Sequence, residues 1–175
     1  LNSQSQEKNA TAQAILAEFG GKKTGLKVID AMAFSSARKL SGLTIVDANG
    51  EHSVVFGAPE FILKNCVDEK ISQQISERVN SLAEKGLRVL LLAEFQKTGK
   101  ISELLKTEKL QPLAIVTLKN SLRRNVSKTV DFLQRRGVSL RVISGDNPRT
   151  VSFIAKEAGI LNPDKFITGA ELNDM

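Results

Sequence analysis
The sequence predicts an α/β chain of two parts: an antiparallel sheet with helices, followed by a βαβαβ unit built on a parallel sheet. Three observations carry this. "LTIVDANGEHSVVF" (43–56) sets two β-rich arms around Asn49-Gly50, a hairpin signature. Between Asp68 and Lys85, the residues Ile71, Ile75, Val79 and Leu82 recur at spacings of 4, 4 and 3, the period of an amphipathic helix. Beyond Gln111-Pro112, strand-like and helical patterns alternate strictly, which implies right-handed crossovers and a parallel sheet. A boundary near 110 divides the chain into 1–110 and 111–175.

In chain order, "NATAQAILAEFGG" reads as a helix with Asn9 as N-cap, an apolar stripe of Ile15, Leu16 and Phe19, and Gly20-Gly21 as its stop. "LKVIDAMAF" (26–34) is extended, and the hairpin follows. Pro59 suits a first helical turn, and Gly86 ends the amphipathic helix. "LRVLLLAEF" (87–95) is a buried strand, and 98–110 a loop with a short helix. In the second part, 113–118, 138–143 and 165–169 read as strands. Residues 122–137 form a helix with Leu122, Val126, Val130 and Leu133 on one face, and 148–158 form another.

Composition excludes several classes. The chain has 175 residues, enough to bury a real core, and its 41% hydrophobic and 25% charged residues are those of a globular protein. Cys66 is alone, so no internal disulfide forms. One His (His52) and one Cys argue against a zinc site with N/S ligands. No apolar run approaches the ~20 residues that span a bilayer. The start, "LNSQSQEKN", lacks both a signal-peptide pattern and an initiator Met, so the chain is expected to be cut from something longer. A net charge of +6 suits an anionic partner, but the charges are scattered and mostly alternate in sign. A nucleic-acid surface would need a basic stripe interleaved with aromatics, and the chain has eight Phe with no Tyr or Trp.

The most informative stretch is "VISGDNPRTVSFIAKEAGI" (142–160), a strand-like run broken by Ser144-Gly145-Asp146-Asn147-Pro148 before a helix. In open α/β sheets, ligands collect where strand ends lead into helix N-termini. Gly145 admits close backbone approach, Asn147 caps, and Pro148 starts the helix. The free N–H groups of such a helix start suit a phosphate. Ser144 adds a hydroxyl, and Asp146 can hold a cation or orient a donor. The same four residues also suit a plain tight turn. On residue type alone, Phe34 reads as core, Arg88 as a snorkelling surface charge, and Gly57-Ala58 as close backbone packing.

Residues 113–160 resemble the phosphorylation domain of P-type cation-transporting ATPases. Ser144-Gly145-Asp146-Asn147, Thr150, Ile154-Ala155 and Gly159-Ile160 fall at the spacing of that family's Thr-Gly-Asp-Asn motif and the helix after it. Upstream, "FSSARK" (34–39), "FGAPE" (56–60), "GLRVLLLA" (86–93) and "NATAQAI" (9–15) are similar, in order, to elements of its nucleotide-binding domain. The resemblance covers roughly 9–172. It implies that 1–110 is a portion of the nucleotide-binding domain and 111–175 part of a Rossmann-like, haloacid-dehalogenase-type phosphorylation domain. It further implies that Phe34 and Lys39 hold adenine, that Gly57 and Ala58 admit the nucleotide, and that Arg88 reaches its phosphates. Ser144, Gly145, Asp146 and Arg123 would serve the phosphorylation site. The implied cofactors are ATP and Mg2+, the ion being held largely by residues outside this chain. The implied partners are the rest of the phosphorylation domain, the actuator domain and the transmembrane helices of a pump in the cell membrane. This chain would lie on its cytoplasmic side and be inactive in isolation.

Four positions depart from the family. Phe56 replaces a lysine, Ala12 an acid that reads the adenine amino group, Asn120 the Asp of Asp-x-x-Arg, and Ser144 a threonine. The pattern is closest to a bacterial subgroup related to calcium transporters, and the His-Pro motif of heavy-metal pumps is missing. So are the Asp-Lys-Thr-Gly-Thr segment and the Gly-Asp-Gly-x-Asn-Asp magnesium motif. Two other readings stay open. One is a degenerate nucleotide domain with weak or no ATP binding. The other is a soluble haloacid-dehalogenase-type phosphatase, for which the chain lacks an Asp-x-Asp motif. The transported ion is not written in these residues.

Overall fold
The computed structural model describes residues 10–20, 25–119 and 121–173. Five strands, β1 (Lys27–Met32), β2 (Leu40–Asp47), β3 (Gly50–Gly57), β4 (Leu87–Phe95) and β5 (Leu110–Lys119), form one sheet in sequence order. The β1–β2, β2–β3 and β3–β4 ladders are antiparallel. The helices are α1 (Ala10–Phe19), α2 (Pro59–Ile62), α3 (Glu69–Ala83), α4 (Ile101–Thr107), α5 (Val126–Arg135), α6 (Pro148–Ala158) and α7 (Gly169–Asn173). The described residues group into two compact units. The first comprises 1–77 and 89–118, and the second 78–88 and 119–175.

Strand alternation gives the first unit its core. Leu40 and Val55 on β2 and β3, with Leu91, Ala93 and Phe95 on β4, turn to one face, where Ile62, Ile101 and Leu104 of α2 and α4 cover them. Each fully buried Leu or Ile contributes roughly 1.5–3 kcal/mol by leaving water. Thr44 and Ser53, opposite each other in the β2–β3 register, are also fully buried. Their hydroxyls bond at 2.9 Å, and Thr44 Oγ1 donates to the Gly99 carbonyl at 2.6 Å while Gly99 N–H donates to Ser53 Oγ at 3.1 Å. Asp30 Oδ2 accepts from Ile101 N–H at 2.9 Å, so the start of α4 is tied to β1. On the other face His52 Nδ1 pairs with Glu94 Oε1 at 2.6 Å, and Nε2 lies 3.5 Å from Asp47 Oδ1. The Glu94 bond, opposed by desolvation and aided by Asp47, raises the His52 pKa above its ordinary 6.5.

In the second unit, the Gln134 amide joins α5 to the end of α6. Its Nε2 donates to the Gly159 carbonyl at 2.9 Å, and its Oε1 accepts from Leu161 N–H at 3.0 Å. Gly159, with φ at 84°, ends α6 in the left-handed conformation that favours glycine. Thr168 donates through both its N–H and its hydroxyl to Glu171 Oε2 at the start of α7, which lowers the Glu171 pKa.

The expected α/β architecture, an antiparallel sheet with helices, is present, and Leu87–Phe95 and Pro148–Ala158 fall on their expected bounds. Five details differ. The hairpin turns at Ala48-Asn49, with Asp47 facing Gly50, because only Gly50 of the expected pair takes positive φ. In α1 Ala12 is the buried residue, Ile15 and Leu16 are half-buried, and Phe19, at its last position, is 70% exposed. The helix expected over 122–137 starts at Val126, behind Asn125 in a left-handed conformation, and Leu122 precedes it. Segments 138–143 and 165–169 form no strands, and Ile143 stands 98% exposed. Without them, 113–118 opens no parallel sheet and lies instead in β5, at the edge beside β4, a place that tolerates Pro112. Asn9, Gly21 and Asn120 lie outside the described residues.

Candidate functional site
In the first unit, the segments before β2 and after β3 meet at the open end of the β2–β3 hairpin. The loop from β1 to β2 is folded by Ser35, whose Oγ accepts from Ala37 N–H at 3.2 Å and Arg38 N–H at 3.4 Å. Arg38 Nη2 donates to the Ala33 carbonyl at 3.2 Å, so that guanidinium holds the loop. The loop closes at Lys39, which has φ at 55° and donates its N–H to the Ser35 carbonyl at 2.7 Å. The Lys39 carbonyl then accepts from Ala58 N–H at 2.9 Å.

Gly57 makes that meeting possible. It faces Leu40 in the ladder, and a Cβ placed on it would lie 2.4 Å from the Lys39 carbonyl oxygen and 2.6 Å from Leu40 Cα. Both are backbone atoms that cannot swing aside, so only glycine fits. Ala58 precedes α2, with Pro59 in its first turn. Phe34 is 40% exposed, which corrects the reading of its ring as core from residue type alone. Among the described residues the Lys39 ammonium has no ion-pair partner. Phe56 is half-buried on the sheet face opposite Gly57, between Ser41 and Leu92 in the neighbouring strands. Ala12 is 4% exposed.

The second unit gathers Arg88, Ser144, Gly145 and Asp146 around the start of α6, and Arg123 before the start of α5. Asn147 Oδ1 accepts from Arg149 N–H at 2.9 Å and Pro148 fills the first turn, as the sequence predicts. Ser144 Oγ accepts from Asp146 N–H at 3.1 Å, which folds the loop before the cap. Gly145 is an exposed bend between them. Arg88 Nη2 lies 3.2 Å from Asp146 Oδ1, with the two side chains 38% and 35% exposed. An ion pair so open to water contributes only about 0–1 kcal/mol, so an incoming anion can compete for Arg88. Arg123 is exposed beside α5, and its guanidinium has no ion-pair partner among the described residues.

Phe34, Lys39, Gly57 and Ala58 therefore belong to the first unit, and Arg88, Arg123, Ser144, Gly145 and Asp146 to the second. Three contacts were not read from the sequence: Glu84 with Arg149, Gly86 with Phe153, and Thr150 with the Leu87 carbonyl. Their partners are more than sixty residues apart, beyond the reach of any local pattern. Among the described residues no three His, Cys, Asp or Glu side chains cluster to hold a metal ion. No described helix is long and apolar enough to cross a membrane.

Comparison with known proteins supplies the class: over most of its length the chain is homologous to P-type cation- and calcium-transporting ATPases. A protein described as a probable cation-transporting ATPase of Streptococcus pneumoniae is 34% identical over 170 residues, covering 97% of this chain and 20% of that protein. A calcium-transporting ATPase of Mycobacterium tuberculosis is 32% identical over 87% of the chain and 18% of its own length. A plasma-membrane-type calcium-transporting ATPase of Arabidopsis thaliana is 32% identical over 78% and 15%. The chain thus spans a fifth or less of the relatives it matches. No protein-family model matches it.

Proposed function
We propose that this chain is the ATP-binding cytoplasmic portion of an ATP-driven cation pump in the cell membrane, and that it positions ATP for phosphoryl transfer to an Asp outside these residues. The observation that carries the reading is the meeting of "FSSARK" and "FGAPE" at the Lys39–Ala58 bond, over a Gly57 that tolerates no side chain. It rests also on the homology to cation-transporting ATPases over 97% of the chain.

In this reading 1–110 is the nucleotide-binding portion and 111–175 part of the phosphorylation domain, a division by role distinct from the two compact units. The exposed Phe34 ring stacks on adenine, and the Lys39 ammonium, with no ion-pair partner among the described residues, adds a positive charge to the site. Gly57 and Ala58 leave room for close approach of the nucleotide. Arg88 leaves Asp146 for a phosphate oxygen. Ser144, Gly145 and Asp146 line the phosphorylation site, and Arg123 adds a positive charge there. Asp146 alone does not make a magnesium site, so the Mg2+ that ATP brings takes its carboxylates from elsewhere. Phosphoryl transfer is catalysed mainly by such positioning and charge stabilisation. The partners are the remaining phosphorylation domain, the actuator domain and the transmembrane helices.

A second reading has its own observation. Ala12 is buried and apolar where the family reads the adenine amino group with an acid, which fits a domain with weak or no ATP binding. Titration of ATP into isotope-labelled chain, followed through backbone amide shifts, decides between them. Saturating shifts at Phe34, Gly57 and Arg88, abolished by Phe34→Ala, are expected. A spectrum unmoved by millimolar ATP would establish the weaker reading.

A further inference from the structure
The helix start that carries Asp146 also carries Thr150, which the pump reading leaves without a role. Thr150 is 2% exposed, and its hydroxyl donates to the Leu87 carbonyl at 3.1 Å. A helical threonine commonly turns its hydroxyl to the carbonyl four residues back. Here it reaches an acceptor 63 positions away in sequence. The Leu87 carbonyl and the Arg88 N–H belong to one planar peptide unit, so whatever fixes the first fixes the plane from which Arg88 leaves the chain. One turn further along α6, the Phe153 ring covers Gly86, where a Cβ would come within 2.2 Å of it. Asp146 meanwhile holds the Arg88 guanidinium. A single helix start thus grips the backbone before Arg88 and the end of its side chain.

We propose that Thr150 is a positioning residue for Arg88: its buried hydroxyl sets the Leu87–Arg88 peptide so that the guanidinium meets Asp146 and, when nucleotide arrives, the phosphates. The second half of that statement rests on the pump reading; the first does not. The experiment therefore has two readouts on the 175-residue chain. One is the ratio of ATP to adenosine affinity, which isolates the phosphate contribution. The other is guanidinium rotation of Arg88 by NMR without nucleotide, which reports its pairing with Asp146.

Thr150→Val keeps the shape and removes the hydroxyl. It is expected to lower the ATP-to-adenosine ratio about threefold to tenfold, with adenosine affinity unchanged, and to free Arg88 rotation. Thr150→Ser, which keeps the hydroxyl and folds with the smaller side chain, is expected to preserve both. Equal loss of ATP and adenosine binding in Thr150→Val, or a ratio and rotation that do not change, would overturn the assignment. Should the parent chain bind neither ligand, the ATP-binding reading fails by itself. Arg88 rotation then decides alone: freed in Thr150→Val it sustains the positioning role, and unchanged it ends it.

Discussion

The two compact units show opposite relations between apolar sequence and burial. In the first, Val55, Ile62, Leu91 and Ile101 are fully buried because β3 is paired antiparallel on both sides, to β2 through a local hairpin and to β4 across more than thirty residues, and helices cover one face. In the second, equally apolar segments stand open: Val142 is 51% exposed, Ile143 98% and Ile167 62%. A β-rich sequence becomes a strand only where a partner completes its ladder, because its N–H and C=O groups must be satisfied. Hairpin partners are a few residues away, whereas parallel partners require a crossover and a neighbour on the far side.

The contrast is most readily broken by core truncation. Leu91→Ala is expected to cost about 2–5 kcal/mol in urea unfolding, whereas Ile143→Ala should change stability by less than about 0.5 kcal/mol. Equal effects would show that Ile143 is buried in solution. Next in size is the cap that organises the second unit: Asn147→Ala should cost about 1 kcal/mol and raise amide exchange in the first turn of α6. The smallest effect is pH-dependent and belongs to the first unit. The folded-state pKa of His52 lies above its unfolded value near 6.5, through Glu94 and then Asp47. Its contribution is therefore fully present below that pH and fades as pH rises through the folded value. His52→Gln should flatten this dependence in melting curves recorded from pH 5.5 to 9, and a variant that keeps the slope would assign it to another group.

What could be read from the sequence follows the same division. The hairpin, the amphipathic helix before Gly86, the β4 strand and the capped α6 are encoded by local signals, and the chain forms them, with α3 closing at Ala83. The strands at 138–143 and 165–169 were read from β-rich runs alternating with helical patterns, which record β-preference and order but not whether a partner exists. The motifs around Phe34, Gly57, Arg88 and Asp146 were legible through resemblance. That Lys39 closes on Ala58 and Arg88 on Asp146 was not, since those contacts depend on tertiary geometry. Phe34 shows the limit of residue type, because a large aromatic in the loop just past a strand can as readily face water as the core.

The left-handed backbone at Lys39 carries an evolutionary consequence. Glycine adopts that conformation without steric cost, whereas a side chain bearing a Cβ is strained there. A laboratory lineage selected only for heat resistance would drift toward glycine at this position. A lineage that also had to keep a cation at the loop's end would hold lysine and accept the lower melting point. Running both selections in parallel would reveal a trade-off between durability and charge at a single residue.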